Sequence, residues 1–213
     1  GGPAISSSNP RFVGISQGSV LGGAFLTQSP DIDRGALLVG GATFSFMIER
    51  SIHFNTYETF LMPAYEKRLV TAQLMAFSQH VWDNAESAAY IADAEDGLWD
   101  AGPKRYIYLV AHNDSQVPNL SSDIAVRMTG MPVLEDSSYV PWGAETITGP
   151  TTESAFISFH MGDRDNPRGN ESPDSDDGGH NSAPGSGEAL DMIHDFFETG
   201  SIESPCGGPC IFF

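Results

Sequence analysis

The chain contains few basic residues, and this shortage argues against partners that are recognised through phosphate groups. Its 213 residues include 10 Lys and Arg against 28 Asp and Glu, which gives a formal net charge of −18 at pH 7. Binding of nucleic acid or of an anionic membrane surface needs clustered cationic side chains. We therefore expect no nucleic-acid partner, and we interpret the acidic residues as a surface rich in carboxylates.

Long apolar runs are also missing from the sequence. No stretch reaches the roughly 18 consecutive apolar residues that a transmembrane helix needs, so no membrane span is expected. Residues 1–9 lack the charged-then-apolar pattern of a secretory signal peptide. Hydrophobic residues nevertheless make up 40% of the chain and include 13 Phe. A chain of this size can form a proper core, so we expect a single domain over residues 1–213.

Only two cysteines are present, and they lie close together near the end of the chain. Cys206 and Cys210 flank Gly-Gly-Pro, a segment that allows a tight loop. This spacing favours a local disulfide, with a pair of free thiols as the alternative. A disulfide would imply an oxidising compartment, so we expect a secreted or periplasmic protein. Two thiols are too few for a structural zinc site, and we expect no metal and no cofactor.

The order of apolar segments predicts an α/β fold with a mostly parallel sheet and flanking helices. The predicted strands are four compact apolar runs at 11–13, 34–39, 106–111 and 155–159. The predicted helices follow the first strand (19–26), extend through 44–82 with a break at Pro63, and return at 122–129 and 188–198. Residues 44–102 include a candidate helical cap. Residues 162–187 are almost free of apolar side chains, which predicts an irregular acidic surface loop.

The pentapeptide at 14–18, Gly-Ile-Ser-Gln-Gly, has the pattern G-x-S-x-G. It stands between a predicted strand and a small, apolar segment with helical character. In that context the serine lies at the apex of a strained turn, and the glycines let strand and helix approach each other closely. A serine hydroxyl is a poor nucleophile without a base and an orienting acid. Ser16 is therefore a candidate nucleophile, and a buried small residue in such a turn is the alternative.

Candidates for the acid and the base follow later in the chain. Asp114 comes directly after the strand at 106–111. An ordinary turn or helix-capping aspartate is the other interpretation of this residue. His180 lies after the last predicted strand and just before the final helix, where its glycine-rich surroundings would let it turn over the sheet edge. His160, at the end of the last strand, is the alternative base.

The remaining polar side chains carry weaker signals. His112 is expected to contact the neighbouring Asp114, and His194 to lie on the terminal helix without a catalytic role. Oxygen donors of the kind that calcium takes are frequent in the acidic loop, but their spacing does not match the EF-hand pattern. A solvated loop is therefore the preferred interpretation of residues 162–187.

Taken together, these motifs make the chain resemble the α/β-hydrolase superfamily, specifically secreted bacterial esterase- or lipase-like serine hydrolases. The resemblance extends from about residue 11 to 200 and is carried by the segments 14–18, 38–41, 114–118 and 179–181. It implies hydrolysis of a small-molecule carboxylic ester through an acyl-enzyme, with Ser16 as nucleophile, His180 as base and Asp114 as the acid. The backbone N–H of Gln17 would then be one oxyanion-hole donor.

The same resemblance implies strands that are missing ahead of the nucleophile. Only 15 residues precede Ser16, and the strand at 11–13 would have an unpaired edge. We therefore expect this chain to be the C-terminal part of a hydrolase, with the N-terminal remainder as a separate or missing segment.

Two other functions are open at this point. A serine peptidase of the prolyl-oligopeptidase type uses the same order of nucleophile, acid and base. A hydrolase-fold protein without activity would instead serve as a binding module.

Overall fold

Six parallel strands form one sheet in the computed structural model, which describes residues 9–65, 67–162 and 164–212. In chain order the strands are β1 Phe12–Ile15, β2 Arg34–Leu38, β3 Arg105–Ala111, β4 Val133–Leu134, β5 Thr146–Ile147 and β6 Ala155–Phe159. Their order across the sheet is β1-β2-β3-β6-β4-β5, and every paired neighbour runs in the same direction. The predicted α/β class with a parallel sheet is confirmed.

Helices connect these strands and flank the sheet. Within the described residues they are α1 Gln17–Val20, α2 Gly22–Gln28, α3 Phe44–Ile48, α4 Phe54–Ala64, α5 Arg68–Trp82, α6 Asn119–Thr129, α7 Gly179–Ser182 and α8 Gly187–Thr199. Short 3₁₀ turns occur at Ser87–Ala89, Ile91–Asp93 and Ala183–Gly185. In the part of the chain described, every helix is too short or too polar to cross a membrane.

The sheet is buried on both faces. Along β3, Leu109 belongs to the core cluster that includes α8, whereas its neighbour Tyr108 belongs to the cluster that includes α2 and α6. Both side chains are at most 1% exposed. Successive side chains of a strand point to opposite faces, so a sheet covered on both sides produces continuous apolar runs. This arrangement explains why the central strands were recognisable from the sequence.

The predicted helical region at 44–82 differs in detail from the structure. It forms three helices instead of two, because a turn separates α3 from α4. The predicted break at Pro63 is confirmed, since Pro63 lies in the last turn of α4 and the helix ends one residue later. That turn still closes, because the N–H of Tyr65 donates to the carbonyl of Leu61 at 2.8 Å. The strands β4 and β5 were not predicted, and each has only two residues.

The terminal helix follows its sequence signals closely. The hydroxyl of Ser186 caps α8 by accepting the N–H of Ala189, and Gly200 ends it in the left-handed conformation at φ 80°. Beyond α8, a disulfide joins Cys206 and Cys210, with Cα atoms 5.4 Å apart. The last residues then run beside β6, where the N–H of His160 donates to the carbonyl of Cys210.

The first strand lies at the edge of the sheet. Among the described residues, β1 pairs with β2 alone. Its side chains Val13 and Ile15 are 47% and 50% exposed. The expected N-terminal remainder of the hydrolase, which would cover this edge, stays a prediction.

Candidate active site

Ser16 occupies the turn between β1 and α1 with an unusual backbone conformation. Its φ of 55° and ψ of −121° are rare for a residue with a side chain and cost on the order of 1–3 kcal/mol. Three hydrogen bonds hold this conformation: the N–H of Ser16 donates to the carbonyl of Leu38 at 2.9 Å, and its own carbonyl accepts the N–H groups of Ser19 at 2.8 Å and Val20 at 3.0 Å. The strained turn places the hydroxyl at the carboxyl end of the sheet.

The two glycines beside Ser16 play different parts. A Cβ atom at Gly14 would lie 2.3 Å from the carbonyl oxygen of Gly18, so the close approach of strand and helix requires glycine there. A Cβ atom at Gly18 would meet nothing within 4 Å. The expectation that both glycines relieve crowding is therefore wrong at position 18. The first residue of α2, Gly22, does allow close packing, because its Cβ would come within 2.7 Å of the ring of Phe12.

His180 lies on α7, and its Nε2 is 2.9 Å from the Oγ of Ser16. The side chain is buried, although the surrounding segment was predicted as an irregular surface loop. That prediction is wrong for its last third, where Gly178 adopts φ 85° and starts the short helix. Two carboxylates assist this start, since Asp176 and Asp177 accept the N–H groups of Gly178 and Gly179. A folded turn, rather than a mobile loop, therefore holds the imidazole.

Asp114 completes the arrangement from the turn after β3. Its Oδ2 lies 2.7 Å from the Nδ1 of His180, and its Oδ1 accepts the N–H groups of Gln116 and Val117 at 2.8 Å each. The side chain is 1% exposed. Burial raises the pKa of Asp114, while the contact with His180 and the two backbone N–H groups act in the opposite direction.

The network assigns the proton on the imidazole ring. A carboxylate accepts hydrogen bonds, so the Nδ1 of His180 carries the proton that Asp114 accepts. The Nε2 atom is then free to accept the hydroxyl proton of Ser16. Three side chains separated by 98 and 66 residues (114 − 16 and 180 − 114) thus form one hydrogen-bonded chain.

The other histidines near the site have different partners. His160, the alternative base, contacts the ring of His112 at 5.1 Å between centroids, and its main chain binds the C-terminal segment. His112 was expected to contact Asp114. Its ring instead packs against Tyr139 and His160. His194 lies exposed on α8, as predicted.

Gln17 is the first residue of α1, directly after Ser16. Helix geometry provides no partner within the helix for a backbone N–H at that position. The residue also borders a cavity beside Ser16. This position is compatible with an oxyanion-hole role for the backbone N–H of Gln17, and that role stays a prediction.

The cavity beside Ser16 has a volume of about 220 Å³. Its lining combines five apolar side chains, Val20, Phe44, Met47, Ile48 and Val117, with six that carry polar atoms, Ser16, Gln17, Ser51, His53, Tyr57 and Gln116. Larger depressions next to Arg50, about 380 Å³, and next to Glu203, about 610 Å³, are not lined by Ser16. Helices α3 and α4 therefore contribute to the walls around the candidate nucleophile.

A polar network that the sequence did not reveal joins this cavity to the helix that carries His180. The Nε2 of His53 lies 3.2 Å from the side-chain oxygen of Gln116. The amide nitrogen of Gln116 in turn donates to Oδ2 of Asp176 at 2.6 Å. The other oxygen of Asp176 accepts the hydroxyl of Ser115 at 2.8 Å and the N–H of Gly178 at 2.9 Å. Burial raises the pKa of Asp176, but the hydrogen bonds that it accepts outweigh burial and lower it overall. The only sequence signal was an aspartate two residues before a glycine, a common turn pattern.

Other residues of the acidic segment also contact the turn that carries Asp114. The side chain of Asn166 donates to the carbonyl of Asp114 at 2.7 Å, and Asn113 donates to Asp165 at 2.9 Å. Outside residues 1–8, 66, 163 and 213, which are not described, no group of three or more His, Cys, Asp or Glu is arranged to hold a metal ion. The segment thus packs over the site through hydrogen bonds.

No protein-family model, curated protein sequence or solved structure matches this chain. A functional interpretation therefore depends on the geometry of the described residues.

Proposed function

We propose that the protein is a serine hydrolase that cleaves carboxylic esters through an acyl-enzyme. The observation that carries the proposal is the pair of hydrogen bonds from Ser16 to His180, 2.9 Å, and from His180 to Asp114, 2.7 Å. Serine, imidazole and carboxylate in this order are the parts that activate a hydroxyl nucleophile at neutral pH. The strained backbone of Ser16 supports the same conclusion, since such strain clusters at functional sites.

In the first half-reaction, the Oγ of Ser16 attacks the ester carbonyl carbon while its proton passes to the Nε2 of His180. The carbonyl π electrons move to oxygen, and the carboxylate of Asp114 stabilises the imidazolium. His180 then returns the proton to the alcohol oxygen as the carbon–oxygen bond breaks, which leaves an ester on Ser16. In the second half-reaction a water molecule repeats these steps, releasing the carboxylic acid and restoring the hydroxyl.

The backbone N–H of Gln17 is our candidate for stabilising the negative charge on the carbonyl oxygen. It directly follows the nucleophile and stands at the start of a helix, where an amide without a helical partner can donate to an anion. In hydrolases that work this way, losing one such donor costs on the order of 10²- to 10³-fold in kcat.

The sheet itself supports a wider proposal, that the domain has an α/β-hydrolase fold. Nucleophile, acid and base follow β1, β3 and β6 in that order, and all three strands are parallel. Each side chain therefore lies at the carboxyl edge of the sheet, which is where this class of enzyme carries its site. The disulfide between Cys206 and Cys210 supports secretion into an oxidising compartment.

Active-site labelling tests the proposal most directly. We expect a fluorophosphonate probe to label the wild-type protein and p-nitrophenyl butyrate to be hydrolysed, with both signals lost in Ser16→Ala. Ser19→Ala is the matched control, because Ser19 is buried in α1 only three residues away and its hydroxyl has no hydrogen-bond partner among the described residues. That control should retain labelling and turnover.

The same assay separates the alternative functions. An aminoacyl-proline p-nitroanilide tested beside the ester would be cleaved preferentially by a peptidase, and this result would reassign the reaction. Folded wild-type protein that takes up no probe and hydrolyses neither substrate would overturn the enzymatic proposal in favour of a binding module.

A further inference from the structure

Three buried side chains form a hydrophobic cluster that is separate from the two sheet cores. Val20, Met47 and Val117 are each at most 6% exposed, and Phe44 packs against them. They come from α1, from α3 and from the turn after Asp114, the elements around the nucleophile and the acid. All four residues also line the cavity beside Ser16. An apolar surface is thus built into the immediate surroundings of the candidate nucleophile.

Helix α3, which carries Phe44 and Met47, is held firmly against its neighbours. The N–H of Phe44 donates to the buried carboxylate of Glu86 at 3.1 Å, and its ring stacks on Trp82 at 4.2 Å between centroids. The N–H of Ser45 donates to Gln79 at 3.0 Å. These contacts fix the first turn of α3, so the apolar wall of the cavity is preformed.

The position of the cavity relative to the proton carrier indicates which part of an ester it would hold. Ser16 and Gln17 line the cavity, whereas His180 is not among its lining residues. The departing alcohol must receive its proton from the Nε2 of His180, so the alcohol group has to lie on the histidine side. The cavity is therefore on the side of the acyl group.

Volume and polarity limit the acyl group further. Sites for drug-sized ligands span roughly 300–1,000 Å³, and this cavity, at about 220 Å³, is smaller. A cavity of this size suits an acyl chain of a few carbons better than a long fatty acyl chain. The part of the wall formed by Val20, Met47 and Val117 offers no compensation for a buried charge, which disfavours acyl groups that would place one against it.

We infer that this cavity is the acyl-binding site for short, uncharged acyl groups of about four to six carbons, and that Met47 and Ile48 limit the chain length. The inference rests on the proposed esterase function. Met47 is the longest flexible side chain in the apolar wall. The next residue of α3, Ile48, is half-buried and also lines the cavity. Shortening either residue lengthens the space available to the acyl chain.

The experiment compares p-nitrophenyl esters from acetate to dodecanoate, all with the same leaving group. For the wild type we expect kcat/KM to rise about fourfold with each added methylene, to reach a maximum between four and six carbons, and to fall beyond. Met47→Ala should move the maximum by two or more carbons toward longer chains. Ile48→Trp should move it toward acetate.

Met192→Ala is the matched control for the loss of a buried methionine. Met192 is 4% exposed and lies in the core cluster on α8, away from the cavity. Its replacement should leave the chain-length maximum unchanged even where stability falls. If Met47→Ala fails to fold, the half-buried position Ile48 still tests the inference through Ile48→Ala and Ile48→Trp.

A second series, acetate esters of alcohols of increasing size, distinguishes the acyl side from the alcohol side. The variants at 47 and 48 should leave the ranking in this series unchanged. Ester hydrolysis with an unaltered acyl profile in all variants, or a shift confined to the alcohol series, would overturn the inference while leaving the esterase proposal intact. If the fluorophosphonate probe does not label the folded wild-type protein, that result would instead contradict the esterase proposal itself.

Discussion

The carboxyl edge of the sheet and the helical region formed by α3, α4 and α5 differ in how completely they bury their side chains. Asp114 and His180 are only 1% and 3% exposed, and their side chains make three and two hydrogen bonds respectively. Helices α4 and α5 expose about 70% of several large apolar side chains, namely Phe60, Leu69, Phe77 and Val81. The proposed chemistry is thus fixed by the sheet, whereas the helices contribute a few inward residues to the cavity.

This difference has a simple structural origin. Strand β3 is enclosed by β2, β6 and helices on both faces, so the turn after it has little freedom. Helix α5 buries Thr71 alone among its 15 residues. The comparison predicts large effects for substitutions at the sheet edge and small effects on the outer face of the helices.

The largest effect is expected at the buried acid. Asp114→Asn replaces an acceptor by an amide that can donate to Nδ1 of His180, which favours the wrong imidazole tautomer. We expect kcat for p-nitrophenyl butyrate to fall by about 10³- to 10⁴-fold with the fold retained, as measured by steady-state kinetics and circular dichroism. Asp174→Asn is the control: it removes the negative charge of an exposed aspartate and should change kcat little. A loss below tenfold at Asp114 would mean that the buried pair does not carry the reaction.

The next largest effect concerns the sheet itself. Leu109 is completely buried at the centre of β3, so Leu109→Ala leaves a cavity that the surrounding strands cannot fill. The free energy of unfolding, measured in urea, should decrease by about 2–5 kcal/mol. A decrease below 1 kcal/mol would show that the centre of the sheet is packed less tightly than the comparison with the helical region predicts.

A moderate effect is expected where the acidic segment is joined to the site. Asp176→Ala removes the acceptor shared by Ser115, Gln116 and Gly178, so α7 loses part of its support and His180 its alignment. We expect kcat to fall about tenfold, equivalent to about 1.4 kcal/mol. Asp176→Asn retains an oxygen that can accept the N–H of Gly178 and should recover most of the activity. Equal losses in both variants would contradict a positioning role.

A smaller effect is expected on how the free energy of unfolding depends on pH. Asp123 and Asp176 should contribute with opposite sign, because their pKa values are shifted in opposite directions. Burial raises the pKa of Asp123 on α6 to about 6, despite the hydrogen bond from Tyr139 and the charge of Arg127. The folded protein then binds a proton more tightly than the unfolded chain, so this residue makes stability fall as pH rises from about 4 to 6. The lowered pKa of Asp176 has the opposite effect and acts below about pH 4, the usual range of an aspartate.

Urea unfolding at pH 4 and pH 6.5 measures this contribution. Relative to the wild type, Asp123→Asn should gain about 1–2 kcal/mol at pH 6.5 compared with pH 4, because Asn cannot ionise. The amide keeps an oxygen that accepts the hydroxyl of Tyr139, so the hydrogen bond itself survives. Parallel pH profiles for the two proteins would contradict the raised pKa.

The smallest effect is expected on the outer face of α5. Phe77 is 69% exposed, so Phe77→Ser should change the free energy of unfolding by no more than about 0.5 kcal/mol and leave kcat unaltered. A loss above 1 kcal/mol would show that this face is covered in solution. Sedimentation velocity on the wild type would then reveal whether a second copy covers it.

Much of the central sheet could be predicted, because strands buried on both faces leave continuous apolar runs in the sequence. The runs at 34–39 and 106–111 match β2 and β3 to within one residue at each end. Strands β4 and β5 were missed, since two residues are too few to produce a pattern. Helix α7 was missed because its support comes from carboxylates and buried neighbours, and its own composition is that of a loop.

For the site, local signals identified the three residues of the hydrogen-bonded chain. Ser16 stands in a recognisable turn motif, and the other two follow predicted strands. The polar network around Asp176 gave no such signal, because His53 lies 63 residues from Gln116, and Gln116 lies 60 residues from Asp176. The misassigned neighbour of His112 has the same cause, since ring contacts depend on how distant segments pack.

The sequence alone determined the class of fold, the positions of the main strands along the chain, and the proposed nucleophile and acid, and it favoured His180 over His160 as the base. These features follow from periodicity and short motifs, which are local properties of the chain. The tertiary structure decided that His180 and not His160 reaches Ser16, that a folded turn supports it, and that α3 forms an apolar wall beside the hydroxyl. Distances between residues far apart in the chain are set by packing, which no local pattern records.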